Sequence, residues 1–323
     1  MGRPLRHWEP DTYYHISNRC FQARYYLKPS KGVNKVILGC LARYAQRYGI
    51  EIVCYVFMSN HYHIIARAPL GNMSEFMGNF QREVSKRLNP IRNRDNAFWQ
   101  RRFSAEPILD EKAFYNMVNY VMNNPLNALL VTHVSQWEGL NSWETQLSND
   151  GRITGEYMNH TLLARLQRED PSTPEEEAIE HHTIQLKPPR FVKGANTAER
   201  NENLAKHVHD YQKKMSAMLY ESEDAETTKQ VLADEQSTFL GRSWDYCPPN
   251  PKRSRRPLCH TTKDELFETH RKKMWDIRDA YRVAMQKHRQ GKKAVRFPEG
   301  TIPPGWTRCV GAPEPERSTQ AKP

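Results

Sequence analysis

Two histidines separated by one tyrosine, His61-Tyr62-His63, are the residues whose types and spacing speak most directly of chemistry. They sit within residues 58–67, MSNHYHIIAR, with apolar runs on both sides, which predicts a short buried strand. Residues i and i+2 of a strand share a face, so both imidazoles project together while Tyr62 points away. Two neutral imidazoles supply two nitrogen donors to a divalent ion; the competing reading is a pair of hydrogen-bonded histidines on a sheet face.

A second set of candidates lies downstream. Residues 110–124, DEKAFYNMVNYVMNN, predict a helix with acidic residues in its first turn, ended by Pro125. Tyr120 and Asn124 are four apart and share one face of it. A tyrosine hydroxyl beside a metal can attack a phosphodiester, and an asparagine carbonyl at the helix end can serve as a third ligand. Tyr115 competes for the nucleophile's role, and Tyr120 also reads as a core aromatic; spacing alone leaves these alternatives open. Between the two sets, Phe98-Trp99-Gln100-Arg101-Arg102-Phe103 interleaves rings with cations. Rings that stack on splayed bases and guanidinium groups that meet phosphates would make this a single-stranded nucleic-acid surface, with Arg19 at the basic end of the first strand beside it. A strand with one apolar and one charged face is the alternative.

The elements that must position these residues are legible in outline. A strand is predicted over residues 13–20 and a helix over 30–49, with Gly49 as its stop. Strands at 50–58 and 61–67 follow, joined by a turn at Ser59-Asn60. A helix capped by Ser74 then runs to Leu88, ended by Asn89-Pro90. The chain has 323 residues and a net charge of +11, which favours a polyanionic partner, nucleic acid before an anionic membrane surface. No stretch approaches a membrane span, and the N-terminus has no apolar leader core. The six cysteines are scattered without a C-x-x-C pair and read as free thiols of a reducing compartment; Cys247, Cys259 and His260 fit no common zinc spacing. The expected location is the cytoplasm, associated with the nucleoid.

Past Leu147 the composition changes. Residues 148–197 read as a polar linker containing an acidic, proline-punctuated run, and residues 198–323 as a basic, mostly helical region of open role. Helices are predicted over 198–220 and 263–290, with a basic proline-rich loop at 248–257 that could lie along a phosphate backbone.

Three motifs together, M-S-N-H-Y-H-I-I, F-W-Q-R-R-F and N-Y-V-M-N-N-P-L-N-A, resemble the REP-associated tyrosine transposases, of the single-tyrosine branch of the HUH single-strand DNA endonucleases. The resemblance covers about the first 145 residues. It implies an α+β fold in residues 1–147, an antiparallel central sheet with helices packed on it (ferredoxin-like), followed by a mainly helical extension. It makes His61 and His63 the paired metal ligands, Tyr120 the nucleophile in preference to Tyr115, and Asn124 the third ligand of a Mg²⁺ or Mn²⁺ ion. The implied substrate is single-stranded DNA bearing a REP-like hairpin, cleaved to a 5′-phosphotyrosine and rejoined, with residues 98–103 near the recognition surface. The family includes monomers and dimers, so a homodimer is among the assemblies it implies. A domesticated, non-cleaving repressor at hairpin repeats is the rival reading.

Overall fold

The computed structural model describes residues 5–147, 151–220, 234, 238–239, 241–248, 257–292 and 294–305. Strands β1 (Tyr13–Arg19), β2 (Glu51–Phe57), β3 (His61–Arg67) and β4 (Ser104–Ile108) form one antiparallel sheet in the order β2-β3-β1-β4. Helix α1 (Lys31–Tyr48) connects β1 to β2, and α2 (Met73–Ile91) connects β3 to β4. This is the β-α-β-β-α-β arrangement of ferredoxin-like folds, and the expected α+β class is what the chain adopts.

Local chemistry sets most of these boundaries. The Ser30 hydroxyl accepts the Val33 amide at 3.2 Å to start α1, and Gly49, at φ +61°, ends it in a left-handed turn. Helix α2 departs from expectation at both ends. Its cap position is Asn72, whose side chain donates to the Tyr48 carbonyl at 2.9 Å instead of capping, while Ser74 lies inside the first turn and its hydroxyl accepts the Trp8 indole N–H at 2.8 Å. It also runs through Pro90, since a proline in the last turn forfeits one helical bond while Leu88, fully buried just before it, holds the turn in place.

The pleat divides the sheet into two buried faces. Tyr14, Ile16, Phe57, Tyr62 and Ile64 pack with α1 and α2 in one core. On the other face Val56 and Ile65 pack against Phe114, Met117, Val118 and Val121 of α3 (Glu111–Met122). A register shift between Ile52 and Cys54 turns both Val53 and Cys54 to this second face. His61 and His63 alternate with Tyr62, so they face α3.

Residues 151–197, expected to be a polar linker, are built structure. Strands β5 (Arg152–Met158) and β6 (Ile179–Gln185) pair antiparallel, with helix α6 (His160–Glu169) between them. Two short helices, α4 (Asn124–Asn127) and α5 (Trp143–Leu147), precede the hairpin. Tyr157, Ile184 and Leu186 enter the first core beside α1. The Tyr157 ring lies between the guanidinium groups of Arg43 and Arg87, at 4.1 and 4.0 Å, and its hydroxyl donates to Glu83 at 2.9 Å. Helix α7 (Thr197–Tyr220) adds Leu204, Ala205 and Val208 to the second core, against α3. The compositional break at 147 is therefore not a break in packing. Helix α8 (Asp264–Arg289) is mostly exposed and buries only Ala284. The basic loop expected at 248–257 lies almost wholly outside the described residues. Among the described residues, no helix is long and apolar enough to cross a membrane, and Cys20, Cys40, Cys54, Cys247 and Cys259 are free thiols.

Candidate metal and nucleophile site

The sheet face beneath α3 brings the sequence-predicted residues of the site together. The Asn60 side chain donates through Nδ2 to the Ala23 carbonyl at 3.0 Å, which leaves its Oδ1 to accept from His61 Nδ1 at 2.6 Å. A neutral imidazole carries one hydrogen, so His61 Nε2 is a bare lone pair. Facing it at 3.3 Å is Asn124 Oδ1, another acceptor. Two acceptors that meet this way are placed to share a cation. Their separation matches about 3.0–3.5 Å, the spacing of neighbouring donors around an ion bound at roughly 2.0–2.2 Å. His63 is buried, and its Nε2 finds no hydrogen-bond partner. The His61 and His63 ring centroids are 5.0 Å apart.

Electrostatics keeps both rings neutral. Desolvation, then the Arg19 guanidinium, pushes His61 down to about 4. His63 is also held well below the usual histidine range, first by desolvation and then by His61, His15 and Arg19. Their nitrogens are thus free to coordinate at neutral pH. The donor set suits a divalent ion.

Tyr120 projects from α3 over the same face. Its ring centroid lies 5.2 Å from that of His63 and 5.9 Å from that of His15, and the side chain is 44% exposed. Tyr115, the other candidate, points elsewhere on α3 and packs against His207 at 4.7 Å and against Phe114. Helix α3 stops at Met122, and after Asn123 the chain resumes as α4, so Asn124 opens a new helical turn followed by Pro125.

The aromatic block does not form the expected stacking surface. Phe98 and Phe103 are buried, Phe98 against Tyr26 and Phe103 beneath Trp8 with the Arg6 guanidinium over its ring at 3.5 Å. Trp99 donates its indole N–H to the Gln81 carbonyl at 2.9 Å and packs on Tyr62. Phe98 and Phe103 are thus spent on the core, while Trp99 is partly buried against it. Gln100, Arg101 and Arg102 remain exposed, and Arg19 lies opposite His61 in the β1–β3 register. The cations of the block reach solvent where Phe98 and Phe103 do not.

Three neighbours of the site were not singled out by their spacing. His15 on β1, Glu106 directly opposite it on β4, and His260 place one ligand-type atom each within 4.8 Å of one another. They come from three distant segments, and only the sheet register joins them. His260 arrives because residues 259–262 lie along the free edge of β4: its N–H donates to the Pro107 carbonyl at 2.8 Å and its carbonyl accepts from Leu109 at 2.9 Å. Asp110 clasps this segment to the start of α3. Its carboxylate accepts from the Ala113 amide (2.8 Å), the Thr261 hydroxyl (2.7 Å), and the Thr262 amide (2.7 Å) and hydroxyl (3.1 Å). Burial opposes ionisation, but these four donors outweigh it and hold Asp110 down to about 2. A depressed carboxylate contributes stability that is fully present above the ordinary carboxylate range and is lost as the pH falls through about 2. Asp110→Ala should therefore cost more than the ~1 kcal/mol of a lost cap at pH 7, with the difference from wild type shrinking as the pH approaches 2; urea unfolding at both pH values checks it.

Residues 10–124, about a third of the chain, match the family model described as "Transposase IS200 like". They take in His15, His61, His63, Tyr120 and Asn124. No curated protein matches the sequence significantly. Among solved structures, the chain is similar to a REP-associated tyrosine transposase bound to a REP hairpin, with 17% identity over 45% of this chain and 85% of that one, at a TM-score of 0.40. It is also similar to the tRNA(His) guanylyltransferase of Saccharomyces cerevisiae, with 10% identity over 55% and 78% of the two chains, at a TM-score of 0.31.

Proposed function

We propose that this chain, whose residues 10–124 form an IS200-like transposase domain, is a metal-dependent single-strand DNA endonuclease and strand transferase acting on hairpin-bearing, REP-like DNA. The observation that carries the reading is the meeting of His61 Nε2 and Asn124 Oδ1 at 3.3 Å, beside the unpartnered Nε2 of His63 and an exposed tyrosine. His61, His63 and Asn124 would hold a Mg²⁺ or Mn²⁺ ion, which when bound would supply Lewis-acid polarisation of the scissile phosphoryl oxygen. The Tyr120 oxygen attacks phosphorus and its proton passes to water. The bond from phosphorus to the 3′ oxygen breaks, and that oxygen takes up a proton to become a 3′-hydroxyl, leaving a 5′-phosphotyrosine. Attack on that linkage by a 3′-hydroxyl reverses the step and joins strands. Arg19, Gln100, Arg101 and Arg102 contact the phosphate backbone, a contact that orients the strand without reading its sequence. The work is done at the nucleoid in the cytoplasm, by a monomer or homodimer.

The test is incubation of the full chain with single-stranded oligonucleotides carrying the hairpins that flank its own gene, with Mn²⁺ or Mg²⁺, resolved on a denaturing gel. A protein-linked DNA fragment should form, and EDTA or His61→Ala should reduce it by more than about 100-fold. Hairpin binding with no cleavage in either metal would instead establish a non-cleaving repressor.

A further inference from the structure

Behind His63 runs a file of side chains that the cleavage chemistry leaves unused. His63 Nδ1 lies 2.8 Å from His15 Nε2. The other nitrogen of His15, Nδ1, lies 3.2 Å from His260 Nε2 and 3.6 Å from a carboxylate oxygen of Glu106. His15 and Glu106 are buried, and the Ser104 hydroxyl donates to the second oxygen of Glu106.

One hydrogen occupies the bond between the two imidazoles, and with both rings neutral the ring that carries it determines what its far nitrogen can do. If His15 Nε2 carried the hydrogen, His15 Nδ1 could accept only from His260 Nε2, with a carboxylate oxygen that has only lone pairs to offer 3.6 Å away. His63 would then hold its hydrogen on Nε2, as a buried donor with no acceptor, and could not bind a metal there. If His63 Nδ1 carries the hydrogen, every group is suited. His63 donates to His15 Nε2, His15 donates from Nδ1 towards Glu106 and His260, and His63 Nε2 is left as a lone pair. Carboxylate–histidine–metal chains fix ligand tautomers by this logic.

We infer that His15, Glu106 and His260 are positioning residues that lock His63 in its Nδ1–H tautomer and present its Nε2 for coordination. Through His260 the C-terminal extension becomes a working part of the N-terminal site. The value of the locked tautomer rests on the metal-binding reading of His63; the tautomer itself does not. A metal bound by His15, Glu106 and His260 would require the opposite arrangement, since it would take the lone pair of His15 Nδ1 and turn the hydrogen towards His63. The two possibilities are mutually exclusive at His63.

Long-range ¹H–¹⁵N spectra of the full chain, labelled with ¹⁵N-histidine and free of metal, read the tautomers directly, with His63 assigned by its loss in His63→Gln. The expected result is an Nδ1–H tautomer for His63 in wild type. It should relax towards a mixture in His15→Ala and be restored in His15→Gln, whose amide oxygen can accept the same hydrogen. Mn²⁺ affinity followed by electron paramagnetic resonance should fall about 10–100-fold in His15→Ala and His260→Ala. An Nε2–H tautomer in wild type, or one indifferent to His15→Ala, overturns the inference. A bound metal that is lost in His260→Ala yet kept in His61→Ala overturns it as well, in favour of a second metal centre at His15, Glu106 and His260. If the tautomer responds as expected but no divalent ion binds the wild type, the relay stands and the metal-dependent endonuclease reading fails.

Discussion

Tyr120→Phe should abolish the protein-linked DNA fragment while leaving hairpin affinity within about twofold of wild type. The substitution removes one oxygen from a side chain that is nearly half exposed and whose ring rests beside His63 and His15. The loss in stability should be within about 0.5 kcal/mol, the range of surface substitutions. Its chemical cost is of a different order. Phenylalanine cannot attack phosphorus, so no covalent intermediate forms at all, and the residual rate is whatever water achieves at the same site. Tyr115→Phe is the matched control. Its ring packs against His207 and Phe114, away from the histidines, and the adduct should form in that variant at the wild-type level. A gel that shows the adduct in Tyr120→Phe and loses it in Tyr115→Phe would reverse the assignment of the nucleophile. Equal loss in both would point to damage of α3 and not to chemistry.

What the sequence revealed followed from how local each signal was. The His-x-His strand was legible because apolar runs on both sides fix its alternation, and a single strand suffices to put both imidazoles on one face. Ser30, Gly49 and Asp110 mark helix ends through bonds made within a few residues. The rings of residues 98–103 misled because interleaved rings and arginines look the same whichever set faces water. Here Trp8, Tyr26 and Tyr62, all far away in sequence, supply the partners that draw the rings inward. His15, Glu106 and His260 carried no spacing signal, since their meeting depends on register across two strands and on a segment some 150 residues beyond β4. The β5–β6 hairpin escaped because it is covered on one side only and contributes few apolar anchors, too few to stand out from a polar stretch.

That hairpin gives the second large effect, through a close approach of two glycines. A methyl group added at Gly39 in α1 would overlap the Glu156 carbonyl oxygen of β5, and one added at Gly155 would come within 2.7 Å of the Leu38 carbonyl oxygen and 3.0 Å of the Gly39 Cα. Backbone, not a movable side-chain tip, is the obstacle in each case. Gly39→Ala should destabilise the protein by about 1–3 kcal/mol, at the upper end of that range, as overpacked sites do. Gly32 lies on the same helix with nothing within 4 Å of an added Cβ. Gly32→Ala should therefore stabilise by roughly 0.5–1 kcal/mol, because alanine is the better helix former. Urea unfolding of the two variants compares one substitution on one helix, so propensity cancels and the docking of the hairpin is what remains. Opposite signs mean that residues 152–185 complete the core around α1 and that a truncation at residue 147 would leave Gly39 and Leu38 facing solvent. If both variants gain stability alike, the hairpin does not close on α1, and the change of composition at 147 marks a linker after all.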